Sequence, residues 1–242
     1  MADNNINRLD KIICDLLNVT RSEARKLITK GEISIDGEIV KSANARADYS
    51  KSVITAFGKN YNYQSKIYIA MNKPKDCVCT SIDDERSVLL LLPDDLFRKD
   101  LFCVGRLDID TTGLLIITND GDFAHKVISP KNKSPKKYLA TLASPLDDAA
   151  KNHLINGIEL KDGDKVIADS IVYTDDTKTK VEITIRAGKY HQVKRMFGAV
   201  DNAVVDLCRL SIGDFALNDD LEIGKSRLMN SDEVNRVLCN FN

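Results

Sequence analysis

Apolar residues at Leu9, Ile12, Ile13, Leu16 and Leu17 recur at the spacing of one helix face and predict a first helix. A second is predicted from Thr20, whose hydroxyl can cap it, through a stripe of Ala24, Leu27 and Ile28, to a stop at Gly31. The period then drops to two across residues 32–40, and Asp36-Gly37 in the middle marks a hairpin turn. Residues 59–66 have no periodicity and no aliphatic side chain, so they read as a linker between a unit of residues 1–58 and a larger one of residues 67–242.

In the larger unit, Ile67–Met71 reads as the opening strand, closed by Pro74, which cannot continue a central ladder. The apolar segment Val88–Leu92 follows, and then the strand Leu114–Thr118. Asn119–Asp122 opens a helix that stops before Pro130. Tyr138–Leu142, Val166–Tyr173, Val181–Ile185 and Leu221–Ile223 read as further strands, and Asp147–Asn156, Tyr190–Val200 and Ser231–Leu238 as helices. The expected class is α+β, with helices on a mostly antiparallel sheet.

With 43% hydrophobic and 29% charged residues, the chain has the composition of a globular protein, and no apolar run reaches the roughly 20 residues needed to cross a bilayer. The first residues carry neither a secretory nor a transit profile, so a cytoplasmic location and no membrane partner are expected. The six cysteines, Cys14, Cys77, Cys79, Cys103, Cys208 and Cys239, show no zinc-ligand spacing and read as reduced core residues. Cys77 and Cys79 alternate as if on one face of a strand. No metal is expected.

A net charge of −1 excludes binding of nucleic acid by bulk electrostatics and leaves local patches. Arg21, Arg25, Lys26 and Lys30 form one, with Arg21, Arg25 and Lys26 on the helix side opposite its apolar stripe. Five lysines between Lys126 and Lys137 form a second. Arg186, Lys189, Lys194 and Arg195 form a third, and no acid interrupts either of these two runs. The stretches Arg8-Leu9-Asp10, residues 20–28 and residues 31–37 together resemble the S4 RNA-binding domain over about residues 6–57. That resemblance implies a helix–helix–strand module in which Arg8, Lys11, Arg21, Arg25, Lys26 and Lys30 meet RNA phosphates.

No phosphate loop, nucleophile elbow or metal-binding histidine pair is present, and no cofactor is expected. His125 and His153 stand in ordinary helical contexts. His191 lies in a basic segment, where phosphate contact, proton donation and fold support are all open. The stretch Gly105-Arg-Leu-Asp-Ile-Asp-Thr-Thr-Gly113 places two carboxylates two residues apart, beside an arginine and two hydroxyls, just before an apolar strand. Such a pair suits general acid–base work, as in glycoside cleavage. Taken without a family resemblance, the residues favour instead a turn in which an aspartate caps the backbone and Arg106 neutralises it.

Residues 105–121 resemble the signature of the RsuA/RluB/RluE/RluF branch of pseudouridine synthases. Met71–Pro74, Lys136-Lys137-Tyr138, residues 188–196 and residues 207–213 resemble further motifs of that branch, in the same order. The resemblance implies that Asp108 is the catalytic carboxylate, that Arg106 lies beside a flipped nucleotide, that Tyr138 stacks on the uracil and can move a proton, that Lys194 is the counter-charge of Asp108, and that Leu207 walls the base pocket. Lys136, His191, Arg195 and Arg209 are implied as further substrate contacts, and Asp110 as structural. Isomerising uridine requires the base to leave its stack, at a cost of a few kcal/mol. A carboxylate kept ionised by a nearby cation can then attack sugar or base, or take a sugar proton.

Residues 188–195 and 109–112 are nearer the RsuA type, which implies a uridine of 16S ribosomal RNA as substrate, met as naked RNA or in a small-subunit assembly particle by a monomeric enzyme. Enzymes of the same branch acting on 23S RNA, and an S4-type assembly protein without catalysis, are the alternatives. Lys189 and Pro135 depart from the residues usual at those positions.

Overall fold

The computed structural model describes residues 5–129, 132 and 134–238. The chain forms two compact units: Met1–Ile67 together with Phe97–Leu101, and Tyr68–Leu96 together with Phe102–Asn242.

In the first unit, helices Leu9–Leu17 and Arg21–Lys30 pack their apolar stripes into a core of Leu9, Ile12, Ile13, Ala24, Ile28, Ile33, Ile54 and Tyr63. Thr20 and Glu23 form a reciprocal capping box at the second helix, and Gly31 closes it at φ +82°. The hairpin turns at Asp36 (φ +52°) and Gly37 (φ +87°), as the sequence predicts. Its strands Ile33–Ile35 and Glu38–Ile39 join Ile54–Ala56 and Lys59–Tyr61 in one antiparallel sheet, and Ile6–Arg8 pairs with Arg46–Asp48. The supposed linker is therefore partly structured. Lys59–Tyr61 is a strand, and Tyr63 is buried edge-on to Tyr49, with its hydroxyl donating to Asp15 at 2.6 Å. Two aromatic rings do here what aliphatic periodicity would otherwise have signalled. The excursion Phe97–Leu101 is anchored in this unit through Arg98, which donates to the Gln64 carbonyl and sits 3.4 Å from Asp15.

The second unit holds a nine-stranded sheet. Its path runs Ser170–Tyr173, Lys180–Ile185, Lys136–Leu142, Val204–Ile212, Thr111–Thr118, Tyr68–Lys73 and Ser226–Leu228. Phe102–Cys103 and Phe215–Ala216 pair off this path. All neighbours are antiparallel except Val204–Ile212 and Thr111–Thr118, which run parallel. Helices Gly121–Ile128 and Ser231–Leu238 bury Phe123, Ala124, Val127 and Val237 against Ala70, Leu114, Ile116 and Ile212 of the sheet.

Several expected elements differ. Leu221–Ile223 is loop, and the strand lies instead at Ser226–Leu228, because the Leu221 and Lys225 carbonyls are both taken by Asn72 around a turn at Gly224. Val88–Leu91 is a short 3-10 helix capped by Ser87. Lys165–Val166 and Ser170–Tyr173 are separate strands in different sheets. Helix Gln192–Gly198 starts two residues later than expected, since His191 adopts a left-handed conformation (φ +46°). Cys77 and Cys79 lie in a loop held by an isolated Val78–Ser87 bridge, not a strand. Of the cysteines, Cys77 is buried, Cys14, Cys79, Cys103 and Cys208 are half-buried, and Cys239 lies outside the described residues. Pro130, Lys131 and Lys133 of the lysine-rich segment also lie outside them.

Candidate active site

The segment before Thr111–Thr118 is held through the backbone of Leu107, Asp108, Ile109 and Thr111. The buried Lys73, at the end of its strand, donates from Nζ to the carbonyls of Pro74 (2.9 Å), Asp108 (3.1 Å) and Thr111 (3.1 Å). Three donors meet three acceptors, which satisfies the ammonium without a carboxylate. The Thr111 amide also donates to the Asp108 carbonyl at 3.1 Å, and the Asp76 amide to that of Ile109 at 2.9 Å. Leu107 donates its amide to Cys79 Sγ at 3.4 Å. A hydrogen bond with Cys103 leads the influences that hold the Cys79 thiol below the ordinary thiol range, while the same contact and burial push Cys103 up.

So held, Asp108 faces a small cavity lined by Arg106, Tyr138, Ile185, His191, Lys194 and Leu207, among others. Tyr138 and Leu207 are 7% and 5% exposed and come from adjacent strands, so the wall they form is rigid and apolar. Lys194 enters from the first turn of Gln192–Gly198, its Nζ 3.1 Å from Asp108 Oδ2 and 2.6 Å from Asp110 Oδ1. Burial alone would lower the Lys194 pKa, but its hydrogen bonds to Asp110 and Asp108 outweigh this and raise it. Donation from Lys194 holds the Asp110 carboxyl below the usual carboxylate range. His191 Nε2 lies 3.5 Å from Asp108 Oδ1.

The sequence-expected set thus divides. Arg106, Asp108, Tyr138, His191, Lys194 and Leu207 come together around one cavity, and Asp110 joins them through Lys194. Lys136, Arg195 and Arg209, expected as substrate contacts, do not line it. Arg209 is 2% exposed and spends Nε on the Leu114 carbonyl at 2.7 Å, a packing role between strands. Arg195 is ion-paired with Asp162 and Asp164. Lys136 donates to the Ser134 carbonyl, and burial, followed by the charge of Arg209, pushes its pKa down to about 8. Lys73 and Gln192 were not expected to matter. Gln192 exchanges hydrogen bonds with the backbone of Lys189 and so closes the loop before its helix. The available signals for Lys73 were its place in the Met71–Pro74 motif and its position at the end of a largely apolar strand.

In the first unit, Arg21, Lys26 and Lys30 are exposed. Lys26 and Lys30 lie opposite Ala24 and Ile28, whereas Arg21, three residues before Ala24 and seven before Ile28, lies on their side of the helix at its first turn. The basic residues therefore do not share one side as the spacing suggested. Arg8 and Arg25 instead converge on the fully buried Asp10, at 2.8 and 3.1 Å, and Lys11 pairs with Asp15 at 3.0 Å. Donation from Arg8 holds the Asp10 carboxyl below its usual range. Among the described residues no group of three or more His, Cys, Asp or Glu side chains could hold a metal ion, and no helix is long and apolar enough to cross a membrane.

Residues 67–199 match the family model described as RNA pseudouridylate synthase, and residues 7–48 match the S4 domain model. The chain is 40% identical over 227 residues to the ribosomal small subunit pseudouridine synthase A of Vibrio cholerae, covering 94% of this chain and 97% of that protein. It is 37% identical to the protein of the same name from Escherichia coli K12, covering 96% and 100%. A solved pseudouridylate synthase superposes with a TM-score of 0.67 at 36% identity, over 95% of this chain and 99% of the other. With signature residues gathered at one cavity and relatives aligned from end to end, the chain belongs to the RNA pseudouridylate synthase family and carries an S4 domain at its N-terminal end.

Proposed function

We propose that this chain isomerises a uridine of 16S ribosomal RNA to pseudouridine, with Asp108 as the catalytic carboxylate. The observation that carries the reading is Asp108 itself: its backbone is pinned by Lys73, its carboxylate is 3.1 Å from Lys194, and it lies beside the wall of Tyr138 and Leu207. The reaction breaks N1–C1′, turns the uracil and joins C5 to C1′; the hydrogen lost from C5 is matched by one gained at N1, so no co-reactant is needed. A flipped base stacks on Tyr138 against Leu207 while Arg106, exposed at the rim, meets the backbone or the vacated stack. Lys194, 3.1 Å away, is the counter-charge beside Asp108 as that carboxylate attacks or removes a proton. Relatives named for the small ribosomal subunit support the choice of RNA, and uridine 516, which the RsuA-type resemblance implies, is the position to assay first. The enzyme acts in the cytoplasm as a monomer, on naked RNA or on an assembling small subunit.

The test is mass spectrometry of derivatised pseudouridine after incubating 16S transcript, immature small subunits or 23S transcript with the protein. Product in the 16S samples, abolished by Asp108→Ala while RNA binding persists, is expected. Undiminished product with that variant overturns the role of Asp108, and product confined to 23S RNA overturns the choice of substrate.

A further inference from the structure

Tyr190 is 71% exposed, the most exposed of the large apolar side chains among the described residues, yet its ring is not loose. It lies flat on the imidazole of His191, with centroids 3.8 Å apart and planes 17° from parallel. His191 in turn stands 3.5 Å from Asp108 and lines the cavity. The backbone beneath is over-determined. His191 keeps a left-handed conformation that a non-glycine residue adopts only when its surroundings demand it. Arg195 donates to the Tyr190 carbonyl at 3.1 Å and is itself tied to Asp162 and Asp164. Lys189 reaches Asp164 at 2.6 Å, and Gln192 locks the Lys189 backbone. An aromatic ring is thus presented to solvent from a braced loop, one ring away from the group facing the reaction cavity.

Extruding a uridine leaves its neighbours in the strand without a stacking partner, and aromatic side chains recover that loss with little regard to base identity. We infer that the outer face of Tyr190 is a stacking platform for an unpaired base flanking the target uridine, with His191 as the second layer of the stack. The inference rests on the proposed RNA-modifying reading and adds a contact outside the uracil pocket. The neighbouring cations do not compete for this role, because Lys189 and Arg195 are already engaged in bracing the loop.

The protein contains no tryptophan, so Tyr190→Trp places a single reporter at the platform. Titrating this variant with 16S transcript should quench its emission in step with binding followed by filter retention, while Val172→Trp, on the strand at the sheet edge, should not respond. Tyr190→Ala should weaken RNA binding roughly 5- to 150-fold, the equivalent of removing one base–aromatic stack. Tyr190→Phe should bind like the parent. The loss should fall on KM more than on kcat. Emission unmoved at saturating RNA, or equal affinity of the alanine variant, overturns the platform. Quenching without any pseudouridine formed by the parent protein upholds the platform and overturns the proposed function; pseudouridine formed equally well by Tyr190→Ala at limiting RNA does the reverse.

Discussion

Lys194 sits closer to Asp110 than to Asp108, 2.6 Å against 3.1 Å, although Asp108 is the carboxylate facing the cavity. Asp110 is 62% exposed and Asp108 28%, so the better-solvated carboxylate holds the cation in place and the less-solvated one uses its field. Lys194→Met should therefore lower the single-turnover rate of pseudouridine formation about 100-fold, in line with the loss of one preorganised electrostatic partner. Asp110→Asn should cost far less, because Lys194 keeps Asp108. Comparable losses in the two variants would show that Asp110 takes a direct part.

Lys73 carries the second prediction. Lys73→Met removes the donor shared by three carbonyls and leaves those oxygens buried, which should cost on the order of 2–4 kcal/mol of stability. The surviving folded protein should bind RNA normally but turn over slowly, since the backbone of Asp108 is no longer fixed. Denaturant unfolding and kinetics at saturating RNA measure the two effects separately.

A third concerns Gly113. Its φ is +100°, and a Cβ there would lie 2.3 Å from the Arg209 carbonyl oxygen and 2.6 Å from its amide nitrogen, across the only parallel pair on the sheet path. Gly113→Ala must push these strands apart and should destabilise by roughly 3 kcal/mol or more, seen as a lower denaturant midpoint. Gly188→Ala, where a Cβ meets nothing, is the matched control.

The fourth uses pH. Glu233 is nearly buried, accepts from Arg227 through both oxygens at 2.8 and 2.9 Å, and caps its helix with Asn230. Donation from Arg227 lowers its pKa. A depressed carboxyl stabilises the fold above its unfolded value, about 4.3, and loses that contribution as pH falls through the lower folded value. Melting curves should show Glu233→Gln less stable at pH 7, with the difference from the parent shrinking as pH falls below about 4 through the lower folded value.

For the S4 domain, Arg21, Lys26 and Lys30 are expected to carry more of the phosphate contact than Arg8, Lys11 and Arg25, which are engaged with Asp10 and Asp15. Substituting Arg21, Lys26 or Lys30 by alanine should flatten the salt dependence of RNA binding by about one unit of slope for each phosphate that is no longer neutralised. Arg25→Ala should instead destabilise the domain, since it uncovers Asp10.

Much of this was legible in the sequence, where local rules act alone. Thr20 to Gly31 reads as a capped helix and Asp36-Gly37 as a turn, and both are found. The cavity residues were named through motif resemblance, since spacing alone left Asp108 and Asp110 indistinguishable; Lys194 touches both, and Asp108 is the one that lines the cavity. Arg209, which the motif resemblance implied as a substrate contact, is turned inward by strand alternation and donates to a backbone carbonyl. The true start of the Gln192–Gly198 helix depended on the left-handed His191, and that conformation is set by tertiary packing that no local pattern encodes.

The excursion at Phe97–Leu101 has a consequence for how such a protein is dissected or recombined. The chain passes between its two units at three places, after Ile67, after Leu96 and after Leu101. A fragment cut after Ile67 keeps Asp15 and Gln64 but loses the guanidinium that joins them, and its complement inherits Arg98 without either partner. Exchange of the S4 domain between relatives at a single junction therefore transplants an incomplete module; a working chimera has to carry the five-residue excursion along with the domain it serves.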